Sequence, residues 1–199
     1  SFLIRPTWKQ LEYSKKRSNF EPHQLNRNSM SSTRILESEQ IERKLQRIAR
    51  QILEEFHKFP ELHLVSIAGN GEPMGKRLGA IVAEIGGCKV HASTLKLNKT
   101  APLDSPITLT CEMTSLKNQH VIVVDDVLNS GKTLMYAVHH ILNSGPQRVA
   151  TAVLIDRIHR SFPVRADFCG LSLSTNLKEH IEVRLADRSS PSDEAVLHD

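Results

Sequence analysis

Val121-Ile122-Val123-Val124-Asp125-Asp126-Val127-Leu128-Asn129-Ser130-Gly131-Lys132-Thr133 is the stretch that decides how the chain reads. Its first four residues are β-branched and apolar on both faces, the mark of a central parallel strand covered by helices on each side. Two adjacent carboxylates follow at the carboxyl end of that strand, where open α/β sheets bind their ligands. A turn rich in amide and hydroxyl side chains then opens into a helix. Its stripe is Leu134, Ala137, Val138, Ile141 and Leu142, and Asn143-Ser144-Gly145-Pro146 ends it. The free N–H groups of such a helix start, with the Ser130 and Thr133 hydroxyls, form a phosphate cradle. Gly131 lets the backbone approach the anion.

Gly131-Lys132-Thr133 also invites a Walker-type reading, which fails on spacing because the position five residues before Gly131 is Asp126. Two carboxylates at the mouth would repel a triphosphate. They suit neutral hydroxyl donors instead, such as the diol of a ribose. A 5-phosphate in the cradle and a ribose on the acid pair describe a ribose-phosphate site. A solvated Asp-Asp beside an ordinary helix cap is the plainer alternative, and the continuous strand–acid–turn–helix unit argues against it.

Upstream, Ile41, Leu45, Ile48, Ala49, Ile52, Leu53 and Phe56 mark one face of an amphipathic helix, with Ser38 as its N-cap and Pro60 beyond its end. His63 to Ala68 reads as a buried strand ended by Gly69-Asn70-Gly71. A helix follows with Pro73 as its first residue and Met74, Leu78, Ile81, Val82 and Ile85 as its stripe. Lys89–Leu97 is a strand candidate, and Ile107 to Met113 alternates like a half-exposed strand. Val149–Ile155 is buried strand, Arg157–Arg165 a polar loop, Ala166–Gly170 a short strand, and Ile181, Val183 and Leu185 an alternating edge strand. Repeated strand–helix–strand order predicts an α/β domain with a doubly wound, mostly parallel sheet, a small hood and an edge strand.

Of 199 residues, 39% are apolar and 24% charged, which is globular composition. No apolar run is long enough to span a bilayer, so no membrane partner is expected. Three widely spaced cysteines, Cys88, Cys111 and Cys169, fit neither a disulfide framework nor a zinc ribbon, and a reducing, cytoplasmic setting suits them. Residues 1–33 hold six Lys/Arg against two Glu, which accounts for the net charge of +4 and leaves the rest neutral. That segment lacks periodicity and reads as a disordered basic extension, with Met30 a candidate start, ahead of one domain over 34–199. A neutral body argues against RNA as the favoured partner. His139 and His140 are adjacent on a helix and face different ways, so no side-chain metal site is assigned.

The 121–133 stretch resembles the phosphoribosyl pyrophosphate (PRPP) signature of type I phosphoribosyltransferases. Leu154-Ile155-Asp156-Arg157-Ile158-His159-Arg160-Ser161-Phe162-Pro163-Val164-Arg165-Ala166-Asp167-Phe168 resembles a stretch of one family among them, the pyrimidine-operon attenuation regulator and uracil phosphoribosyltransferase PyrR. Glu37–Glu55, with Arg47-Ile48-Ala49, is similar to that family's first helix, and the likeness covers nearly all of 34–199.

The resemblance implies displacement of diphosphate from C1 of PRPP by a nucleobase nitrogen, giving UMP from uracil. Asp125 and Asp126 would bind the ribose and serve catalysis, Asn129, Ser130, Gly131, Lys132 and Thr133 would hold the 5-phosphate, and Asp156 and Arg157 would lie near the base. Gly69, Asn70 and Gly71 would be the pyrophosphate loop. Mg²⁺ would accompany PRPP, coordinated by substrate oxygens and water, and a homodimer or higher homo-oligomer would form. Two departures stand out. The loop's usual Thr-Arg-Gly, often preceded by Lys, is replaced by Ala68, Gly69, Asn70 and Gly71, so that Asn70 stands for the arginine, and Glu72 then adds an unhelpful charge; Lys76, Arg77, Lys96 and Lys99 are candidates to compensate. The family's long mobile lid is reduced to Asn98–Pro106, whose only charges are Lys99 and Asp104. Both favour PRPP or nucleotide binding over efficient catalysis, so a nucleotide-sensing regulator is the alternative. RNA binding, implied by Arg47, Arg160 and Arg165, is weakened by Arg50 and Leu171 at positions usually His and Lys.

Overall fold

The computed structural model describes residues 32–176, 179–186 and 192–199. Six strands form the main sheet in the order β4-β3-β2-β5-β6-β7. They are β2 (Glu61–Ile67), β3 (Lys89–Lys96), β4 (Thr108–Leu109), β5 (His120–Leu128), β6 (Arg148–Arg157) and β7 (Phe168–Leu173). All neighbours run parallel except β4, which lies antiparallel on β3. A second, antiparallel sheet has the order β1-β9-β8, with β1 at Ser32–Glu37, β8 at His180–Arg184 and β9 at Glu194–His198. This is the expected doubly wound architecture with its hood.

Helices α1 (Ser38–Phe56) and α2 (Gly71–Gly86) cover one face of the main sheet, and α3 (Lys132–Leu142) covers the other. The pattern of β5 explains both layers. Ile122 and Val124 join the core under α1 and α2, whereas Val121 and Val123 join the core under α3. The first of these cores also takes in Leu36, Ile181, Val183, Leu185 and Ala195, so apolar burial fixes the small sheet to the large one.

Several boundaries differ from the sequence reading. Ser32 and Thr33, placed in the extension, pair with His198 and Leu197 in β1, and residues 1–31 lie outside the described residues. The N-cap of α1 is Glu37, whose backbone N–H donates to Gln40 Oε1 at 2.9 Å. Ser38 instead exchanges hydrogen bonds with the Asp193 backbone, tying α1 to the start of β9. Pro73 is the third residue of α2, not the first. The alternation of Ile107–Met113 yields only the two-residue β4, followed by a 3₁₀ turn at Met113–Leu116. Ile107, Leu109 and Cys111 spend their apolar side chains on the α3-side core without a second strand partner.

Helix α2 lies unusually close to the sheet where it begins. A Cβ on Gly75 would stand 1.9 Å from Ser66 Oγ and 3.1 Å from Ser66 Cβ. The Gly75→Val variant should therefore lose about 1–3 kcal/mol, through overpacking, in chemical denaturation. A second expectation concerns pH. Burial lowers the pKa of His63, at the start of β2, with the stacked His91 adding to it. Burial and then Arg148 do the same for His120, which packs on Phe59. A lowered histidine pKa means that the folded state resists protonation. Stability present above the unfolded value of about 6.5 is then lost as pH falls through it. Thermal unfolding should move down between pH 7.5 and 5.5, and His120→Phe should flatten that slope.

Candidate functional site

The carboxyl end of β5, Val153 in the middle of β6, the start of α3 and strand β8 border a cavity of about 250 Å³. Residues 125–134 form most of its wall, joined by Asn70, Lys99, Val153 and residues 180–183. Asp125 and Asp126 lie near the carboxyl end of β5, which continues through Val127 and Leu128 beyond the acids expected to end it, and they are 5% and 9% exposed. Asp125 Oδ1 accepts the backbone N–H of Asp126 and stands 3.7 Å from the Lys99 ammonium. Burial, and then the neighbouring Asp126, push the Asp125 carboxyl well above the usual carboxylate range, with Lys99 opposing them.

Gly131 precedes α3 with φ +85°, and a Cβ there would meet Val164 Cγ1 at 2.7 Å. The glycine is thus demanded by backbone twist and by a packing neighbour together. That neighbour belongs to the 158–166 loop, whose Ser161 and Phe162 N–H groups both donate to the Ser130 carbonyl. The Lys132 N–H is 3.3 Å from Ser130 Oγ, and its ammonium donates to the Thr100 carbonyl at 2.7 Å. Lys132 therefore ties the start of α3 to the short 98–106 segment. Asn98 Oδ1 caps the same segment by accepting from the Thr100 and Ala101 N–H groups.

The Gly69-Asn70-Gly71 turn approaches from the end of β2. Gly69 has φ +98°, and a Cβ on Gly71 would lie 3.2 Å from both Asp125 Oδ1 and the Val124 carbonyl. Asn70 lines the cavity, but its side-chain amide donates to the Val183 carbonyl at 2.7 Å. It is a strut between this turn and β8. Of the four cations weighed as substitutes for a loop arginine, only Lys99 lines the cavity. Arg77 is held by Asp193 and Glu42, at 2.5 and 2.7 Å.

Of the expected site residues, Asp156 and Arg157 do not line the cavity, and of the Gly69-Asn70-Gly71 turn only Asn70 does. Arg157 donates to Thr175 Oγ1, the Asn129 side-chain oxygen and the carbonyls of Asn176 and Glu179. It is a buried clamp that joins β6, the Asn129–Thr133 turn and the approach to β8. The Asn129 oxygen is thereby taken, which leaves its amide nitrogen as the donor on that side chain. Asp156 pairs with Arg160 through Oδ2, and its Oδ1 is buried without a hydrogen-bond partner. Arg47, the other arginine matched to an RNA surface, donates to the Cys169 and Gly170 carbonyls and so fastens α1 to β7. Arg165 is exposed.

Sequence reasoning missed the contribution of β8. Its alternation of Ile181, Val183 and Leu185 announces a strand, yet nothing local places that strand over residues more than fifty positions away. The clue would have been the partner β9, whose Glu194–His198 has no alternation to recognise.

Comparison with known proteins follows this geometry. The Phosphoribosyl transferase domain family matches residues 31–188. A protein of Chloroflexus aurantiacus named Bifunctional protein PyrR is 35% identical over 177 residues, covering 82% of this chain and 93% of that protein. A protein of the same name from Geobacter sulfurreducens is 35% identical over 178 residues, covering 81% and 95%. Among solved structures, the hypoxanthine phosphoribosyltransferase of Trypanosoma cruzi superposes with a TM-score of 0.66 at 18% identity, over 83% of this chain and 96% of that one. The Leishmania tarentolae HGPRT-ase in complex with GMP gives 0.66 at 20% identity, over 85% and 99%. These two share the fold. With the family match across most of its length and relatives of 35% identity, the chain belongs to the type I phosphoribosyltransferases and, among them, to the PyrR family.

Proposed function

We propose that the protein transfers the 5-phosphoribosyl group of PRPP to a nucleobase, with uracil the base that its resemblance to the PyrR family implies. The observation that carries this reading is the buried Asp125–Asp126 pair set directly against the Asn129–Thr133 turn in one cavity. The turn supplies N–H and hydroxyl donors for the 5-phosphate. The carboxylates accept from the ribose hydroxyls and lay negative potential beside C1.

In the reaction the C1–O bond to diphosphate breaks, and its electron pair leaves on a diphosphate oxygen. A base nitrogen provides the pair for the new C1–N bond and gives its proton to water. Positive charge grows at C1 as the bond opens, so fixed negative charge nearby favours the transition state over the ground state. Mg²⁺ enters as part of the Mg·PRPP substrate. Asp125 and Asp126 offer the hard oxygens this ion prefers, but no group of three metal-ligating side chains exists among the described residues. Diphosphate oxygens and water would supply most of its coordination. Arg157, by fixing Asn129 from behind, positions the turn and has no direct part in the chemistry.

A nucleotide-sensing regulator is the second reading. Asn70 favours it, because its amide is spent on Val183 where an arginine would have met diphosphate. An RNA surface draws little support from arginines, since Arg47 and Arg160 are both held by internal partners. A cytoplasmic location and a homodimer belong to the proposal through the resemblance alone.

The test is UMP formation from Mg·PRPP and uracil, with purine bases in parallel. UMP should appear, and Asp126→Asn should lower kcat/KM by about a hundredfold or more. UMP binding without product from any base would favour the regulator. A second variant, Gly131→Ala, forces a strained φ and a collision with Val164. It should weaken UMP binding by about tenfold in calorimetry, as roughly 1–3 kcal/mol of strain requires.

A further inference from the structure

Resting on the transferase reading, we propose that Lys99 is the cation that receives the leaving diphosphate, in place of the arginine missing from the Gly69-Asn70-Gly71 turn. Its ammonium lies 3.8 Å from where a Cβ of Gly69 would be and 3.7 Å from Asp125 Oδ1. It therefore stands over the turn and beside the Asp125 carboxylate near the carboxyl end of β5. At 44% exposure its side chain is free to reach into the cavity it lines, and 3.7 Å is too long for a tight charge-assisted bond to Asp125.

The other cations are excluded by position. Arg77 is bound to Asp193 and Glu42, and Lys132 donates to the Thr100 carbonyl. Lys76 is exposed beside Glu72, Pro73 and Ser66 in a separate depression, and Lys96 is exposed at the end of β3 outside the cavity. Asn70 cannot serve while its amide holds Val183.

The segment that carries Lys99 is anchored as a preformed element. Asn98 Oδ1 accepts from the next two free N–H groups, and Lys132 grips the Thr100 carbonyl. The lysine is thus pinned on both sides by contacts that leave its own stem unrestrained. When the C1–O bond breaks, the electron pair resides on the diphosphate, and the ammonium stabilises that charge without any proton transfer. Backbone N–H groups of the turn would add donors to the same anion.

The experiment uses the whole chain and its Lys99→Gln and Lys99→Arg variants. Calorimetry measures Mg·diphosphate and UMP binding separately, and turnover gives KM for PRPP and for uracil. Lys99→Gln should weaken diphosphate binding and raise the PRPP KM by about ten- to a hundredfold, with UMP affinity within about twofold of wild type. Lys99→Arg should restore most of that loss. Diphosphate affinity equal in wild type and Lys99→Gln overturns the assignment. So does undetectable diphosphate binding by a wild-type chain that binds UMP, and in both cases the ribose-phosphate reading stands. A wild-type chain that binds neither ligand overturns both.

Discussion

An ionised carboxylate moved from water into a protein interior costs several kcal/mol unless it is paired and hydrogen-bonded, and β5 carries two of them near its carboxyl end. Every residue of this central strand is buried, so Asp125 and Asp126 cannot turn outward to water without unmaking the sheet. Their direct compensation is meagre: one backbone N–H to Asp125 and one ammonium at 3.7 Å. Two valines at these positions would make a more stable strand. On the proposed reading, the hydroxyls of a ribose add the donors that this pair can still accept. The raised pKa of Asp125 expresses the same deficit from the side of the proton.

The site is assembled from segments that have no reason to meet on their own, and a few polar struts hold them together. Arg157 reaches from β6 to the Asn129–Thr133 turn and to the approach of β8. Asn70 joins the β2–α2 turn to β8, and Lys132 joins α3 to the 98–106 segment. The 158–166 loop presses Val164 on Gly131 and donates twice to Ser130. Each strut spends a residue that a local reading would give to substrate. Preorganisation of this kind lowers the reorganisation needed as charge develops, at the expense of side chains withdrawn from ligand contact.

What could be read from the sequence divides along the same line. The run Val121–Val124 with its following acids and helix start is local, so the strand, the turn and the cavity side of the main sheet were legible. The boundaries of β1 and α1 were less so, because Ser38 looks like a cap and is instead bonded to Asp193, 155 positions away. The Ile107–Met113 alternation misled for a related reason. A period of two says that alternate side chains are buried, and Cys111 and Ile107 satisfy it by packing on the α3-side core without a strand partner. Arg157 shows the limit for site residues. Its sequence context marks a functional segment, but only the tertiary positions of Asn129, Thr175 and Glu179 decide that it clamps the site and does not line it.

The short 98–106 segment also changes how charge is handled through a catalytic cycle. A long lid brings its groups in only on closure and excludes water as it does so. An anchored segment keeps its cation at the site throughout, with only the side chain left to move, so the free protein must have something for that cation to do. Here Lys99 offsets Asp125 while no ligand is bound. On the proposed reading, ribose hydroxyls take over the stabilisation of Asp125 as substrate enters, which releases the ammonium toward the diphosphate. Neutral hydroxyl donors thus replace the cation beside Asp125, so the buried carboxylate never stands without a partner. Water exclusion is the function that so short a segment performs least well, and the hood strand β8 is the element positioned to supply part of it from the opposite wall.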